Sequence, residues 1–174
     1  MIGRNEIVEF FSNWIGNNRE IAWIAIPFLA FIEACPGAGL FVSGAILLAV
    51  STILYTQDIL SLPEIATLAF FGAILADHFG YYLGLIFGPH LEKSKFARSR
   101  EKNIKKSKEI VLKYGTFSII IGRLIPAVRS LVPLTVGISA LGKLKFSISD
   151  FCACFIWSCG LLLLSGGIGN VFLQ

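Results

Sequence analysis

Residues 122–137 read GRLIPAVRSLVPLTVG, and this stretch decides how the rest of the chain is interpreted. Arg123 and Arg129 lie inside an otherwise apolar run, on either side of the helix breaker Pro126. A guanidinium stays protonated in a protein, so each arginine needs an anionic partner or water wherever it lies. If the stretch lies within a membrane, these two residues mark a functional site.

The composition of the whole chain indicates a membrane protein. Of its 174 residues, 55% are hydrophobic and only 15% are charged, with a mean hydropathy of +0.76. Ordinary soluble domains do not combine these values. The first residues carry Glu6 and Glu9 where a signal peptide has an uninterrupted apolar run, so we expect no secretory signal. The length suits one membrane domain over residues 1–174.

Residues 1–20 show apolar side chains at helical spacing between polar ones. This pattern predicts an amphipathic helix lying in the membrane interface. An ordinary surface helix packed on protein fits the same pattern.

Residues 21–56 form the first unusual apolar segment. The run from Ile21 to Leu54 is too long for one span and too short for two spans with a turn. Pro36, Gly39 and Gly44 break it into halves that would each reach roughly 21 Å as a helix, short of the hydrocarbon core. We therefore predict a re-entrant hairpin, with Glu33 just before the break where water reaches the backbone.

Residues 64–90 are predicted to form a transmembrane helix. Pro63 is placed to start it, and small residues then recur along one stripe: Ala69, Ala73, Gly80, Gly84 and Gly88, with Asp77 among them. Such a stripe lets another helix approach closely, so Asp77 should face protein and not lipid. Asp77 then either bonds a neighbouring helix or takes part directly in the site.

Residues 91–113 form the one long polar segment. Nine of the fifteen lysines and arginines lie between Lys93 and Lys113, which the positive-inside rule assigns to the cytoplasm as a solvated loop or surface helix. A basic patch also suits nucleic acid, but a juxtamembrane basic segment is more commonly explained by topology and anionic lipid headgroups. We expect no nucleic-acid partner.

Residues 114–142 repeat the first anomaly, because Pro126 and Pro133 break another apolar run. Lys143 and Lys145 follow at once, which returns the chain to its basic side and predicts a second re-entrant hairpin. A last transmembrane helix is predicted over residues 147–170. The predicted fold is therefore an all-α inverted repeat of two hairpins, each followed by a span, of the kind that places a site near the midplane.

Three pieces of the chain resemble the DedA family of membrane proteins, also called the VTT superfamily. They are FIEACPGAGLFVSGAILL (residues 31–48), GAILADHFGYYLG (residues 72–84) and GRLIPAVRSLVPLTVGIS (residues 122–139). The most specific match is the G-R-x-x-P-x-x-R-x-x-x-P pattern, met by Gly122, Arg123, Pro126, Arg129 and Pro133. Glu33 matches the family's acidic residue in the first hairpin, and Asp77 and Tyr81 match its G-D-x-x-x-Y segment with Ala76 in place of glycine. The resemblance implies two opposed re-entrant hairpins in a bacterial inner membrane and the movement of polyprenyl phosphates or phospholipids between leaflets.

The chain departs from the family's pattern in two places. Members commonly have a V-P-G-acid segment in the first hairpin, whereas Val42, Ser43, Gly44 and Ala45 stand there. The resemblance ties that second acid to proton-dependent function, so coupling through position 45 is not expected. The chain also stops at Gln174, before the further C-terminal span that many members possess.

Arg123 and Arg129 are therefore predicted to bind the phosphate of a lipid headgroup, because a guanidinium matches phosphate oxygens. Glu33 and Asp77 would hold the arginines without ligand or exchange a proton with it. In the simpler alternative, the four residues only lock the hairpins together. A proton-coupled exporter of small ions or drugs and a structural membrane protein remain as further functional alternatives.

Other chemistry has little support in the sequence. His78 and His90 do not stand among carboxylates at metal-ligand spacing, so we expect no enzyme, metal or cofactor. The four cysteines lie in apolar stretches without a C-x-x-C pair and are predicted to be small buried residues, without disulfides: Cys35, Cys152, Cys154 and Cys159.

Overall fold

A computed structural model describes residues 19–40, 44–92, 101–125, 128–139 and 141–173. These residues are helical, with no strand among them. The helices are α1 (Arg19–Ala34), α2 (Gly44–Thr56), α3 (Leu62–Glu92), α4 (Glu101–Tyr114), α5 (Ser118–Leu124), α6 (Val132–Ile138) and α7 (Lys143–Leu173). Short 3-10 turns cover Ala38–Leu40 after α1 and Gly115–Phe117 before α5. The prediction of an all-α chain is confirmed.

Both predicted breaks separate helices. The first segment is α1, a break that includes Gly37 with a φ of 97°, and α2. The second consists of α5 and α6, each only 7 residues long, and the described residues between them, 125 and 128–131, are not helical. Of the predicted break residues, Pro36 and Gly39 lie between α1 and α2, Gly44 begins α2 and Pro133 lies in the first turn of α6. Pro126 is outside the described residues.

The long helices α3 and α7 start earlier than their sequence patterns indicate. At the start of α3, Ser61 donates from its backbone N–H and its hydroxyl to Glu64 Oε2, at 2.7 and 2.8 Å. This cap gives the backbone N–H of Ser61 a partner that the helix itself cannot provide. Pro63, in the first turn, has no N–H and needs no such partner. Helix α7 begins at Lys143, four residues before the predicted span, and both lysines of its first turn are exposed.

Helices α3 and α7 run antiparallel and are long and apolar enough to cross a membrane, over Leu62–Gly88 and Lys143–Val171. Gly166 near the end of α7 contacts Leu62 at the start of α3, and the ring of His78 reaches Ser147 near the start of α7. Large apolar side chains project outward from both helices, such as Leu75 and Leu163, which are 63% and 72% exposed. An outward apolar surface of this kind suits lipid.

Two apolar cores flank different lengths of α3. The first core joins α1 and α2 to the beginning of α3, with Ile26, Leu47 and Ile65 among its members. The second joins α4, α5 and α6 to the later part of α3, around Tyr81 and Phe146, whose rings stack at 4.2 Å. Each broken segment thus packs on its own part of α3, and the two parts adjoin at the middle of that helix.

The remaining sequence predictions have mixed outcomes. The N-terminal amphipathic helix falls outside the described residues up to position 18, and α1 already begins at Arg19. Part of the basic segment is a helix, α4, which buries Ser107, Ile110 and Val111 against the second core region. All four cysteines are free, but the prediction that they are buried is confirmed only for Cys154: Cys35 and Cys159 are partly exposed, and Cys152 is exposed on α7. An apolar helix surface turned outward accommodates a thiol as readily as a core does.

Candidate functional site

The two breaks meet beside the middle of α3. A Cβ atom placed on Gly39 would lie 3.1 Å from Cβ of Ser130, which lies in the second break. A Cβ atom on Gly80 of α3 would lie 2.7 Å from Cγ of Pro36 and 3.5 Å from Cβ of Pro133. The absence of side chains at these glycines therefore brings both breaks and α3 together at one point.

Arg129, in the second break between α5 and α6, forms an ion pair with Glu33 at the end of α1, from Nη2 to Oε1. The Glu33 side chain is 4% exposed and that of Arg129 is 17% exposed. Gly44, the first residue of α2, lies against this pair: a Cβ there would collide with Glu33 Oε1 and lie 3.4 Å from Arg129 Nη2. The pair thus links the two broken segments.

Arg123, at the end of α5, forms an ion pair with Asp77 of α3, from Nη1 to Oδ2. The Asp77 side chain is 1% exposed, in agreement with the prediction that it faces protein. The guanidinium of Arg123 also lies over the ring of Trp157 from α7, 5.1 Å from its centroid. A cation held by a carboxylate and an aromatic face is stabilised without bulk water.

Both arginines and both acids line one small cavity, together with Ala30, Ala34 and Trp157. The cavity has room for about one water molecule. Three buried polar atoms around it have no hydrogen-bond partner among the described residues: Glu33 Oε2, Asp77 Oδ1 and Arg123 Nε. Buried polar groups are ordinarily paired, so these atoms are available to a polar ligand or water.

A third acid, Asp150 of α7, extends the site. It is fully buried, and one of its oxygens lies within 4.8 Å of an Asp77 oxygen and of Cys154 Sγ. The thiol of Cys154 is 3.6 Å from Asp77 Oδ2 and 3.7 Å from Asp150 Oδ1. These three side chains are the described residues with geometry for a metal ion, although the guanidinium of Arg123 already opposes Asp77.

His78 also lies beside Asp150. Its Nδ1 is 3.3 Å from Asp150 Oδ2 and 3.0 Å from the carbonyl oxygen of Ile74, and its Nε2 is 3.1 Å from the hydroxyl of Ser147. The cause is the antiparallel packing of α3 on α7, which sequence spacing does not reveal. The side chain of His90 is not among those described.

Neither Asp150 nor Trp157 was among the residues predicted for the site from the sequence. The signal for Asp150 was present: of the eleven acids in the chain, only Glu33, Asp77 and Asp150 lie inside the apolar segments. An ionisable residue in such a segment is itself an indication of function. Trp157 offered no comparable signal, because a tryptophan in an apolar helix is ordinarily a packing residue.

Comparisons with known proteins agree with this architecture. The model of the VTT domain family matches residues 35–166. An uncharacterized membrane protein of Mycobacterium tuberculosis is 29% identical over 168 residues, covering 91% of this chain and 72% of its own length. Inner membrane protein YabI of Escherichia coli is 25% identical over 83% of this chain.

A relative from Staphylococcus aureus carries a functional name, undecaprenyl phosphate transporter A. It is 29% identical over 120 residues, or 66% of this chain. The chain spans only 57% of the length of YabI and 58% of the length of this transporter. No solved structure gives a significant match. The family match covers more than half of the chain and includes every ionisable residue of the site except Glu33, so the chain belongs to the VTT domain family, the DedA group of integral membrane proteins.

Proposed function

We propose that this protein is a lipid translocase, which moves a phosphate-bearing lipid such as polyprenyl phosphate or a phospholipid between the leaflets of a bacterial inner membrane. The observation that carries the proposal is the position of Arg123 and Arg129, both largely buried where two broken helices meet. Two guanidiniums at one point match the charge and the oxygen geometry of a phosphate. The name of the staphylococcal relative supports this class of substrate.

In this proposal the observed cavity is the closed form of the headgroup site. It is too small for a phosphate, and each arginine is occupied by a carboxylate. An arriving phosphate replaces Asp77 and Glu33 as the partner of the arginines, while the lipid tails stay in the membrane. Moving a headgroup through hydrocarbon without such partners costs many kcal/mol, so the exchange lowers the barrier.

We further propose that both broken segments are re-entrant. Helices α1 and α2 have 16 and 13 residues, which suits entry and return better than crossing. With α3 and α7 as the two spans, the breaks then meet near the midplane, as in transporters built from inverted repeats. The exposed lysines of α4, Lys102, Lys105 and Lys106, face the cytoplasm and anionic headgroups in this arrangement.

Reconstitution tests the assignment. We expect vesicles with Arg123→Ala and Arg129→Ala to lose movement of labelled phospholipid and polyprenyl phosphate, to less than about a tenth of the wild-type rate for each lost contact of 1.5–3 kcal/mol. Lys145→Ala is the matched control, because it removes an exposed cation outside the site. Transport at the wild-type rate by both arginine variants would refute the proposal.

The three buried acids also favour a second candidate, a proton-coupled exporter of small ions or drugs. Such a protein would show ion-driven flux in tight vesicles without movement of labelled lipid. A structural membrane protein would show neither activity, and a lipid phosphatase would release phosphate from a polyprenyl pyrophosphate. The same vesicles therefore separate these classes.

Gly44→Ala is expected to weaken transport by displacing Glu33 from Arg129. The added methyl group would overlap Glu33 Oε1, and overpacking of this kind typically costs about 1–3 kcal/mol, or about 5–150-fold if it falls on the transport step. Transport rate and thermal stability should be measured together. Gly142→Ala, with no atom within 4 Å of the new Cβ, serves as the control and should leave the rate unchanged.

A further inference from the structure

We propose that Asp77 and Asp150 form a shared site for one proton, reached through His78, and that protonation of this pair releases Arg123 to the lipid phosphate. The release of Arg123 to a lipid phosphate rests on the proposed function. The proton site itself is argued only from the packing of α3 against α7. It assigns a role to Asp150 and His78 and gives this chain a protonatable site although Ala45 cannot supply one.

The geometry places two acids together without water. Asp77 and Asp150 are 1% and 0% exposed, and their oxygens lie within 4.8 Å of each other. Two negative charges at this distance in a buried site repel each other strongly. The repulsion is removed when one of the two carboxylates takes a proton. Asp77 Oδ1 has no hydrogen-bond partner among the described residues, which leaves an acceptor free for an O–H donor.

The count of buried charges selects a proton over a divalent metal ion. The site holds three acids, Glu33, Asp77 and Asp150, and two guanidiniums, those of Arg123 and Arg129. With a neutral histidine the sum is one negative charge. One proton brings this sum to zero, whereas a divalent cation would leave a buried positive charge beside Arg123.

His78 supplies the route from outside. Its side chain is 30% exposed, and its Nδ1 lies between the carbonyl of Ile74 and Asp150 Oδ2. Both neighbours are acceptors, so Nδ1 carries a hydrogen, while Nε2 faces the hydroxyl of Ser147. When a proton from water joins Nε2, the ring is doubly protonated. The Nδ1–H bond then breaks, an O–H bond forms at Asp150 Oδ2, and the ring is left neutral with its hydrogen on Nε2. A further transfer follows once Nδ1 is protonated again.

The coupling step follows from the contacts of Asp77. Its Oδ2 accepts from Arg123, and Cys154 Sγ stands between the two acids at 3.6 and 3.7 Å. Transfer of the shared proton to Asp77 removes the charge that holds Arg123, so the guanidinium can turn to phosphate. Besides Arg123, the ionisable groups around the pair are His78 from α3, Cys154 from α7 and Cys35 at the first break.

Infrared titration of the purified protein tests the proton site without any lipid substrate. We expect wild-type protein to show the carbonyl-stretch band of a buried protonated carboxylic acid, and we expect Asp150→Asn and Asp77→Asn each to lose it. Asparagine has the shape of a protonated aspartate, so these variants should fold. Asp58→Asn, at an exposed turn with a φ of 53°, is the control that keeps the band, since asparagine tolerates that conformation. A band unchanged in both site variants would overturn the proposal.

Transport measured against pH tests the coupling. A one-proton requirement changes the wild-type rate by up to about tenfold per pH unit on its limiting side, and Asp150→Asn should lower the rate and leave it nearly independent of pH. His78→Gln, which leaves both acids in place, should flatten it as well and serves if Asp150→Asn does not fold. If Arg123→Ala transports like wild type, the lipid assignment fails while the infrared result still judges the proton site. If the Asp150 and His78 variants keep the wild-type pH dependence, or if added Zn²⁺ or Mn²⁺ abolishes the infrared band at micromolar concentration, the proton proposal fails.

Discussion

Arg123→Gln combined with Asp77→Asn is expected to give a stable protein that does not transport lipid. The single change Arg123→Gln should lower the free energy of unfolding by about 3–5 kcal/mol, because it leaves Asp77 and Asp150 buried without a cation. The double variant removes one charge of each sign and should recover most of this loss. Thermal unfolding in detergent measures the stability, and labelled lipid in vesicles measures the transport.

The reason for the double variant is that a single change cannot separate two roles of the same arginine. If Arg123 only locks α5 to α3, restoring stability restores whatever activity depends on the fold. If Arg123 binds phosphate, transport stays below about a tenth of the wild-type rate in a protein of normal stability. If the stable double variant transported lipid at the wild-type rate, the role of Arg123 would be purely structural.

Arg129→Gln with Glu33→Gln is the matched pair on the other side of the cavity. Arg129 is more exposed than Arg123, at 17% against 9%, so its single variant should lose less stability while its effect on transport should be as large. A different ranking of the two single variants in stability would show that exposure does not set the cost of breaking these pairs.

Much of the helical layout follows from the sequence for simple physical reasons. Proline and glycine interrupt apolar runs at Pro36, Gly44 and Pro133, and a helix cannot pass such residues without losing hydrogen bonds. The spacing of Gly80, Gly84 and Gly88 indicates a close helix contact, and the structure has Pro36, Pro133, Leu134 and Ile138 against these glycines. These features depend on local chemistry, so local sequence is enough to predict them.

The contacts of the site that could not be predicted from the sequence depend on how the helices pack against one another. Asp150 and His78 are 72 residues apart and meet only because α3 and α7 are antiparallel with one particular offset. Trp157 reaches Arg123 because α7 also packs on α5. A shift of one helical turn, about 5.4 Å, would separate each of these pairs. Residue types therefore indicate candidates for the site, while the offset between the two long helices decides which candidates meet.

A second close contact, between α3 and α6, holds the second broken segment on α3, and glycines face backbone on both sides of it. A Cβ on Gly84 would collide with the carbonyl oxygen of Leu134, and a Cβ on Gly137 would collide with the carbonyl oxygen of Tyr81. Small residues that let two backbones touch are the usual basis of helix association in membranes. The contact also supports Pro133, which packs near Gly80 beside the site.

Gly84→Ala is therefore expected to destabilise the protein by about 1–3 kcal/mol, and Gly84→Leu by more, because the backbones of α3 and α6 must separate. Gly160→Ala in α7 is the matched control: no atom lies within 4 Å of the new Cβ, and alanine favours a helix over glycine by about 1 kcal/mol. Thermal unfolding should thus move in opposite directions for the two alanine variants. Because α6 also positions the second break, Gly84→Ala should reduce lipid movement even at temperatures where the protein remains folded. Equal stability of the two variants would mean that the α3–α6 contact does not hold the site together.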